Sequence, residues 1–181
     1  MSHDGLRPEH RWEGRGELFA SARSLDEVVA VLRWSARRLI GADGVAVVLR
    51  EDRCCHYVAE DAIEPLWKGQ RFPLEACVSG WAMLNDATAV VPDVTLDPRV
   101  PVAPYRNKSI SSLVMVPIGS PEPVAALGAY WCALVFLDEG TVLRAEALAR
   151  EAGDALARLR SEATTGRLER PPEHHARHAC A

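Results

Sequence analysis

The stretch 110–137 reads ISSLVMVPIG-SPEP-VAALGAYWCALVFL, and its reading decides the fold. Two apolar runs, Ile110 to Gly119 and Val124 to Leu137, flank a four-residue break holding two prolines. Both runs are rich in branched and aromatic residues, which suit strands. A short Pro-rich link between two such runs predicts an antiparallel hairpin. The second run is also the longest apolar segment, but at 14 residues it is too short for a spanning helix, which needs about 20.

Working outward, a second hairpin precedes the first. GVAVVLRE at 44–51 and CCHYVAE at 54–60 are two strand-like runs separated by Asp52 and Arg53. TAVVPD at 88–93 adds a short strand stopped by Pro92. Before the sheet, SLDE at 24–27 has the form of a capping box, in which Ser24 accepts from the turn and Glu27 reaches back. Val28, Val29, Leu32, Ala36, Leu39 and Ile40 then follow helical spacing, and Gly41 supplies the left-handed stop. Beyond the sheet, residues 140–162 form a long amphipathic helix with Leu143, Leu148, Ala152, Ala155, Leu156 and Leu159 on its apolar side. CVSGWAMLND, starting at Cys77, reads as a short helix, whereas 61–75 and 94–109 hold breakers and little period. The chain therefore divides into a partly disordered extension (1–23), one domain (24–162) and a disordered tail (163–181).

Strands in hairpins with the long helices first and last predict an α+β domain. Both helices pack on one face of a mostly antiparallel sheet, and residues 61–87 and 94–109 cover the other. Long loops of this kind usually serve function, and the space beneath them is the natural place for a small ligand.

A net charge of −4 on 181 residues argues against a nucleic-acid grip, which needs a clustered basic surface. The charged amino terminus lacks a secretory core, so a cytoplasmic protein without membrane spans is expected. The five cysteines are irregularly spaced and offer no disulfide framework.

In its order of motifs the chain resembles a GAF domain. The resemblance rests on CVSGWAMLNDATAVVPDVTLDPRVP with Gly80 and Pro92-Asp93, on YRNKSISSLVMVPIG with Pro117, and on LGAY with Gly128. It covers roughly 24–160 and is similar in wording to the GAF modules that precede bacterial sensor histidine kinases. It implies a five- or six-stranded antiparallel sheet, terminal helices on one face and a loop-covered pocket on the other. It further implies a sensor input with no kinase output of its own, binding a small molecule of unknown identity and coupling to a histidine kinase or regulator. GAF domains also pair through their terminal helices, and Val31, Trp34 and Leu159 are available for a homodimer.

The residues expected to meet a ligand are Cys77, Ser79, Gly80, Trp81, Asp93, Tyr105, Ser109 and Ser111. Cys77 could be a nucleophile, a ligand contact or a small residue that fits a helix start. The free methionine-R-sulfoxide reductases are also single GAF domains and are a second implied class; a third is a non-binding dimerisation module left from a sensor kinase, its pocket filled by its own side chains. In that family the catalytic thiol lies in the loop over the pocket, and the matching 94–109 contains no cysteine. A reductase also needs a resolving partner, and Cys77 alone supplies one thiol. The expectation is therefore no enzyme and no catalytic residue. Asp93 could cap the following turn or receive a ligand donor. Alternation puts Ser109 and Ser111 on one strand face. Cys54 and Cys55 are adjacent on a strand and face opposite ways. Cys54 and His56 share a face but make only half a zinc site, so no metal is expected.

Overall fold

The computed structural model describes residues 15–168. The elements are α1 (Arg15–Ser21), α2 (Leu25–Ile40), β1 (Gly44–Glu51), β2 (Cys54–Ala62), β3 (Arg71–Pro73), α3 (Val78–Asn85), β4 (Ala89–Val91), α4 (Val102–Tyr105), β5 (Ser112–Ile118), β6 (Ala125–Trp131) and α5 (Glu139–Leu168). The six strands form one sheet in the order β3-β2-β1-β6-β5-β4, and every neighbouring pair is antiparallel. The α+β reading and both hairpins therefore stand.

The capping box forms at the start of α2. Ser24 Oγ accepts from the Glu27 amide at 3.2 Å, and the Glu27 carboxylate accepts from the Arg23 amide at 2.7 Å. Gly41 ends the helix at φ 78°, a conformation that costs glycine nothing. Ser24→Ala is expected to lower stability by about 1 kcal/mol, read as a lower urea midpoint with an unchanged slope.

One face of the sheet presents Val45, Val47, Val114, Val116, Ile118, Leu127 and Trp131 to the helices. Val28, Leu32, Ala36 and Ile40 of α2 and Leu148, Ala152 and Leu156 of α5 complete that core. The Trp131 indole N–H fixes the sheet to the end of α2 by donating to the Gly41 carbonyl at 2.8 Å. The other face presents Ala46, Val48, Leu113, Met115, Ala126 and Tyr130 to α3 and the covering segments. β1 reads as continuous VAVV because both of its faces are buried.

Several boundaries differ from the sequence reading, each for a physical reason. β6 stops at Trp131, not Leu137, because its partner β5 begins at Ser112, the residue opposite. The remaining apolar residues leave the sheet, and Leu134 and Phe136 are largely exposed. The break-rich 61–75 contributes the short edge strand β3, whose three residues pair with Cys54 to His56. Residues 94–109 contain the single turn α4. Leu143 is exposed and lies off the buried stripe of α5. α5 continues to Leu168, so the first residues of the stretch read as a disordered tail are helical. Part of the amino-terminal extension is helical too, as α1. The rest of both end segments lies outside the described residues. Among the described residues, no helix is long and apolar enough to cross a membrane.

A β-bulge does most to shape the loop-side face. On β1, Val47 pairs with Ala59 and Val48 with Tyr57, so Val58 is the extra residue. Strict alternation would put residues 55, 57 and 59 on one face. The bulge instead sends Ala59 to the helix side and keeps Cys55 and Tyr57 on the loop side.

Candidate functional site

The loop-side face carries a cluster of aromatic rings. Tyr57 meets Trp67 edge-on at 5.6 Å between centroids and Phe72 at 5.5 Å. Trp67 in turn meets Tyr105 at 4.9 Å and Tyr130 at 5.6 Å. The bulged strand and β6 supply the two central tyrosines, while the covering segments supply Trp67 and Tyr105. The expected space between sheet and loops is therefore filled by rings that touch one another.

Within this cluster the Tyr130 hydroxyl is buried without a hydrogen-bond partner among the described residues. Burial pushes its phenol well above the usual tyrosine value, so the group stays protonated. The Tyr57 hydroxyl bears on it both by charge and as a nearby hydrogen-bonding group, each raising it further, although the pair does not reach the distance and angle of a formed bond. The Tyr130 ring can fold back over the sheet because Gly128, two residues before it, has no side chain. A Cβ at Gly128 would lie 2.5 Å from the Tyr130 hydroxyl oxygen and 3.0 Å from Met115 Cε.

Beside the rings lies a polar chain. Ser79 Oγ is 3.2 Å from the Tyr57 hydroxyl and 3.2 Å from Cys77 Sγ. Cys77 is the residue before α3, and while protonated its thiol also donates to the Pro73 carbonyl at 3.6 Å. The Cys55 thiol, on the same loop-side face, interacts with Cys77 and, as the largest cause, draws the Cys77 pKa down to about 6. The Ser79 hydroxyl and the amides of Gly80 and Ser79 act in the same direction, against burial. Cys55 is driven the other way, well above an ordinary thiol, by that same contact and by burial. Cys77 is thus the group that ionises, and Cys55 keeps its proton.

The two covering segments are latched to the sheet and to each other. The Glu60 carboxylate accepts from three consecutive amides, Leu66, Trp67 and Lys68, at 3.3, 3.1 and 2.9 Å. The Trp67 indole N–H donates to the Pro104 carbonyl at 3.3 Å, the Ser109 amide to Glu64 Oε1 at 2.8 Å, and Lys108 Nζ to the Pro65 carbonyl. Arg99 grips Asp97 with two bonds, donates to the Val90 carbonyl at 3.1 Å and stacks 4.7 Å above the Trp81 ring.

Of the residues selected from sequence, Cys77, Ser79 and Tyr105 belong to this buried assembly. Gly80 belongs to its framework: a Cβ there would lie 1.6 Å from the Leu74 carbonyl oxygen. Trp81 is partly exposed and serves as the platform for Arg99. Asp93 takes the capping role, accepting from the Thr95 amide at 2.8 Å and its hydroxyl at 2.7 Å. These bonds hold its carboxyl below the usual value. Ser109 and Ser111 precede β5 and do not share a strand face. Ser109 is exposed, and the Ser111 hydroxyl donates to the Cys132 carbonyl at 2.9 Å. His56 sits with Glu51 Oε1 at 2.8 Å and Arg71 at 3.2 Å.

Sequence reasoning missed Cys55, Tyr57, Glu60, Trp67 and Tyr130. Alternation along β6 groups Tyr130 with Ala126 and Gly128, a small-small-large pattern that marks room for a ring. No signal in the sequence locates the bulge at Val58. A separate cleft of about 390 Å³ lies between α5 and the β5–β6 turn, with Asp86, Ser120, Glu146 and Arg150 on its walls. It includes none of the selected residues.

The sequence model of the GAF domain matches residues 22–157. No curated protein matches the chain in sequence. Among solved structures, it is similar to the free methionine-R-sulfoxide reductase of Neisseria meningitidis, solved with its substrate. Identity is 20% and the TM-score 0.70, over 90% of this chain and 98% of that one. It is also similar to the GAF domain of an Acinetobacter phosphoenolpyruvate-protein phosphotransferase, at 12% identity and TM-score 0.73, over 86% and 97%. A third relative is the GAF domain of a Bacillus halodurans two-component sensor histidine kinase, at 16% identity and TM-score 0.65, over 78% and 99%. At these identities the likeness speaks for the fold.

Proposed function

The chain belongs to the GAF domain family, and we propose that it acts as a sensory or regulatory domain in signal transduction. On this reading a small molecule enters the aromatic cluster beneath segments 63–70 and 94–109. Its presence reaches a partner, a histidine kinase or regulator, through α2 and α5. The observation that carries the reading is the Tyr130 hydroxyl, buried among rings with no formed hydrogen bond among the described residues. An unpaired buried hydroxyl costs about 1–3 kcal/mol, which a ligand acceptor would recover. The chemistry of the site suits a flat or apolar body bearing one hydrogen-bond acceptor. Because the rings now touch, entry requires Tyr105 to move with the one-turn α4. Ligand would favour that displaced arrangement over the closed one.

Tyr130→Phe separates the two states. Without ligand the variant is expected to be more stable than the parent by about 1 kcal/mol, since the unpaired hydroxyl is gone. It is also expected to lose the bound molecule that native mass spectrometry finds on freshly purified parent protein. A parent that carries no small molecule, or a destabilised Phe variant, would count against the reading. The same spectra report the number of chains. A homodimer is expected, since Trp34 on α2 is 70% exposed.

The neighbouring thiols favour one second reading, reduction of free methionine-R-sulfoxide. The absence of a cysteine from 94–109 weighs against it. Incubation with free methionine-R-sulfoxide and a dithiol is expected to yield no methionine.

A further inference from the structure

We propose that Cys77 and Cys55 form a peroxide-reactive pair, in which Cys77 attacks a hydroperoxide and Cys55 resolves the product to a disulfide. The proposal goes beyond ligand sensing and does not depend on it.

Three placements carry the proposal. β3 brings the two cysteines together: Cys55 faces Phe72 in the β2–β3 register, and Cys77 Sγ is 3.6 Å from the carbonyl of the next residue, Pro73. The bulge at Val58 keeps Cys55 on the loop-side face, where α3 starts with Cys77. Ser79 then holds the Cys77 sulfur at 3.2 Å, with Tyr57 as the next member of the chain. Access differs between the two thiols. Cys77 is 7% exposed and Cys55 is 0% exposed, so a small oxidant meets Cys77 first. The Cys77 pKa near 6 makes it the thiolate at neutral pH, and Cys55 stays a thiol beside it.

The chemistry balances with a hydroperoxide as the oxidant. The Cys77 thiolate attacks the distal oxygen of ROOH, the O–O bond breaks, and RO⁻ leaves and is protonated to the alcohol. Cys77 is now a sulfenic acid. The Cys55 sulfur attacks the Cys77 sulfur, hydroxide leaves, and it takes the Cys55 proton to form water. Two thiols have lost two electrons to one peroxide bond. Bringing the two sulfurs to a bond of about 2.05 Å takes side-chain rotation at Cys77 and a shift of the turn before α3. A dithiol reductant restores the pair.

The test uses the reduced full chain and hydrogen peroxide at neutral pH, with peptide mapping by mass. The expected product is a linked Cys55–Cys77 peptide lighter by two hydrogens, with Cys54 and Cys132 still alkylatable. Cys55→Ala should instead accumulate a sulfenic acid on Cys77 that dimedone traps, formed more slowly than the parent's disulfide because the thiol that draws Cys77 down is gone, and Cys77→Ser should leave Cys55 reduced. A measurement on the unmodified chain guards against poor folding of the variants. Iodoacetamide labelling of Cys77 should rise with a midpoint near pH 6. Cys132, whose thiol is shifted upward, should require a higher pH. Oxidation at Cys54 or Cys132 with the pair left reduced would overturn the proposal. So would stable Cys77 sulfenic acid in the parent without a link to Cys55.

Discussion

Gly80→Ala is expected to lose about 3 kcal/mol or more, the upper range for overpacking a well-filled core. It should leave little folded protein. The added Cβ would lie 1.6 Å from the Leu74 carbonyl oxygen, 2.6 Å from its carbon and 3.0 Å from its Cα. All three are backbone atoms, so no rotamer change relieves the contact. Leu74 belongs to the 3-10 turn Leu74–Ala76, which joins β3 to α3. Relief therefore means separating that turn from α3, which would pull Cys77 and Ser79 away from Cys55 and Tyr57. The measurement is urea unfolding followed by circular dichroism. A variant within about 1 kcal/mol of the parent, below the usual cost of overpacking, would show that the turn yields easily. Gly128→Ala is a milder change, because the atoms its Cβ meets are side-chain atoms of Tyr130 and Met115.

Glu60→Ala is expected to cost about 3 kcal/mol and to loosen one covering segment selectively. One carboxylate satisfies the amides of Leu66, Trp67 and Lys68, and each charge-assisted bond contributes about 1.5–3 kcal/mol before exposure is discounted. Two of these bonds are only part-buried and the third is exposed, so the sum falls well short of three full contributions. Without the carboxylate the turn at 66–68 has no internal acceptor for those donors. Trp67 then loses its fixed place between Tyr57, Tyr105 and Tyr130. Hydrogen exchange should accelerate at 66–70 and at Tyr105 while α2 and α5 stay protected. Glu60→Gln, which keeps one acceptor oxygen, should recover part of the loss. Uniform exchange across the domain would mean that Glu60 supports the fold in general and not this latch.

Much of the scaffold is legible in local chemistry. The cap at Ser24, the stop at Gly41 and the two hairpins follow from short-range rules: side-chain oxygens facing orphan amides, a left-handed residue at a helix end, and apolar runs around tight turns. Asp93 is legible in the same way, since its two bonds reach only to Thr95. The candidate site is a different matter. Ser109 and Ser111 have the right chemistry for a pocket, but they precede the strand and bond to the loops around them. Cys55 looked like an ordinary strand residue, and Cys77 like a lone thiol. Twenty-one residues and a change of element separate them, and only the packing of β3 and α3 brings them into one buried cluster.

By itself the sequence determined the α+β class, the antiparallel pairing, the terminal helices on one face and the two covering segments on the other. It did so because periodicity, capping and turn residues act over a few positions along the chain. Only the tertiary structure decided that the covered space is filled by aromatic rings, that the Tyr130 hydroxyl forms no hydrogen bond among the described residues, and that Cys77 and Cys55 share one buried cluster. Those outcomes depend on the bulge at Val58, on the glycine beneath Tyr130 and on the latch at Glu60. Each is a contact between segments that no local pattern records.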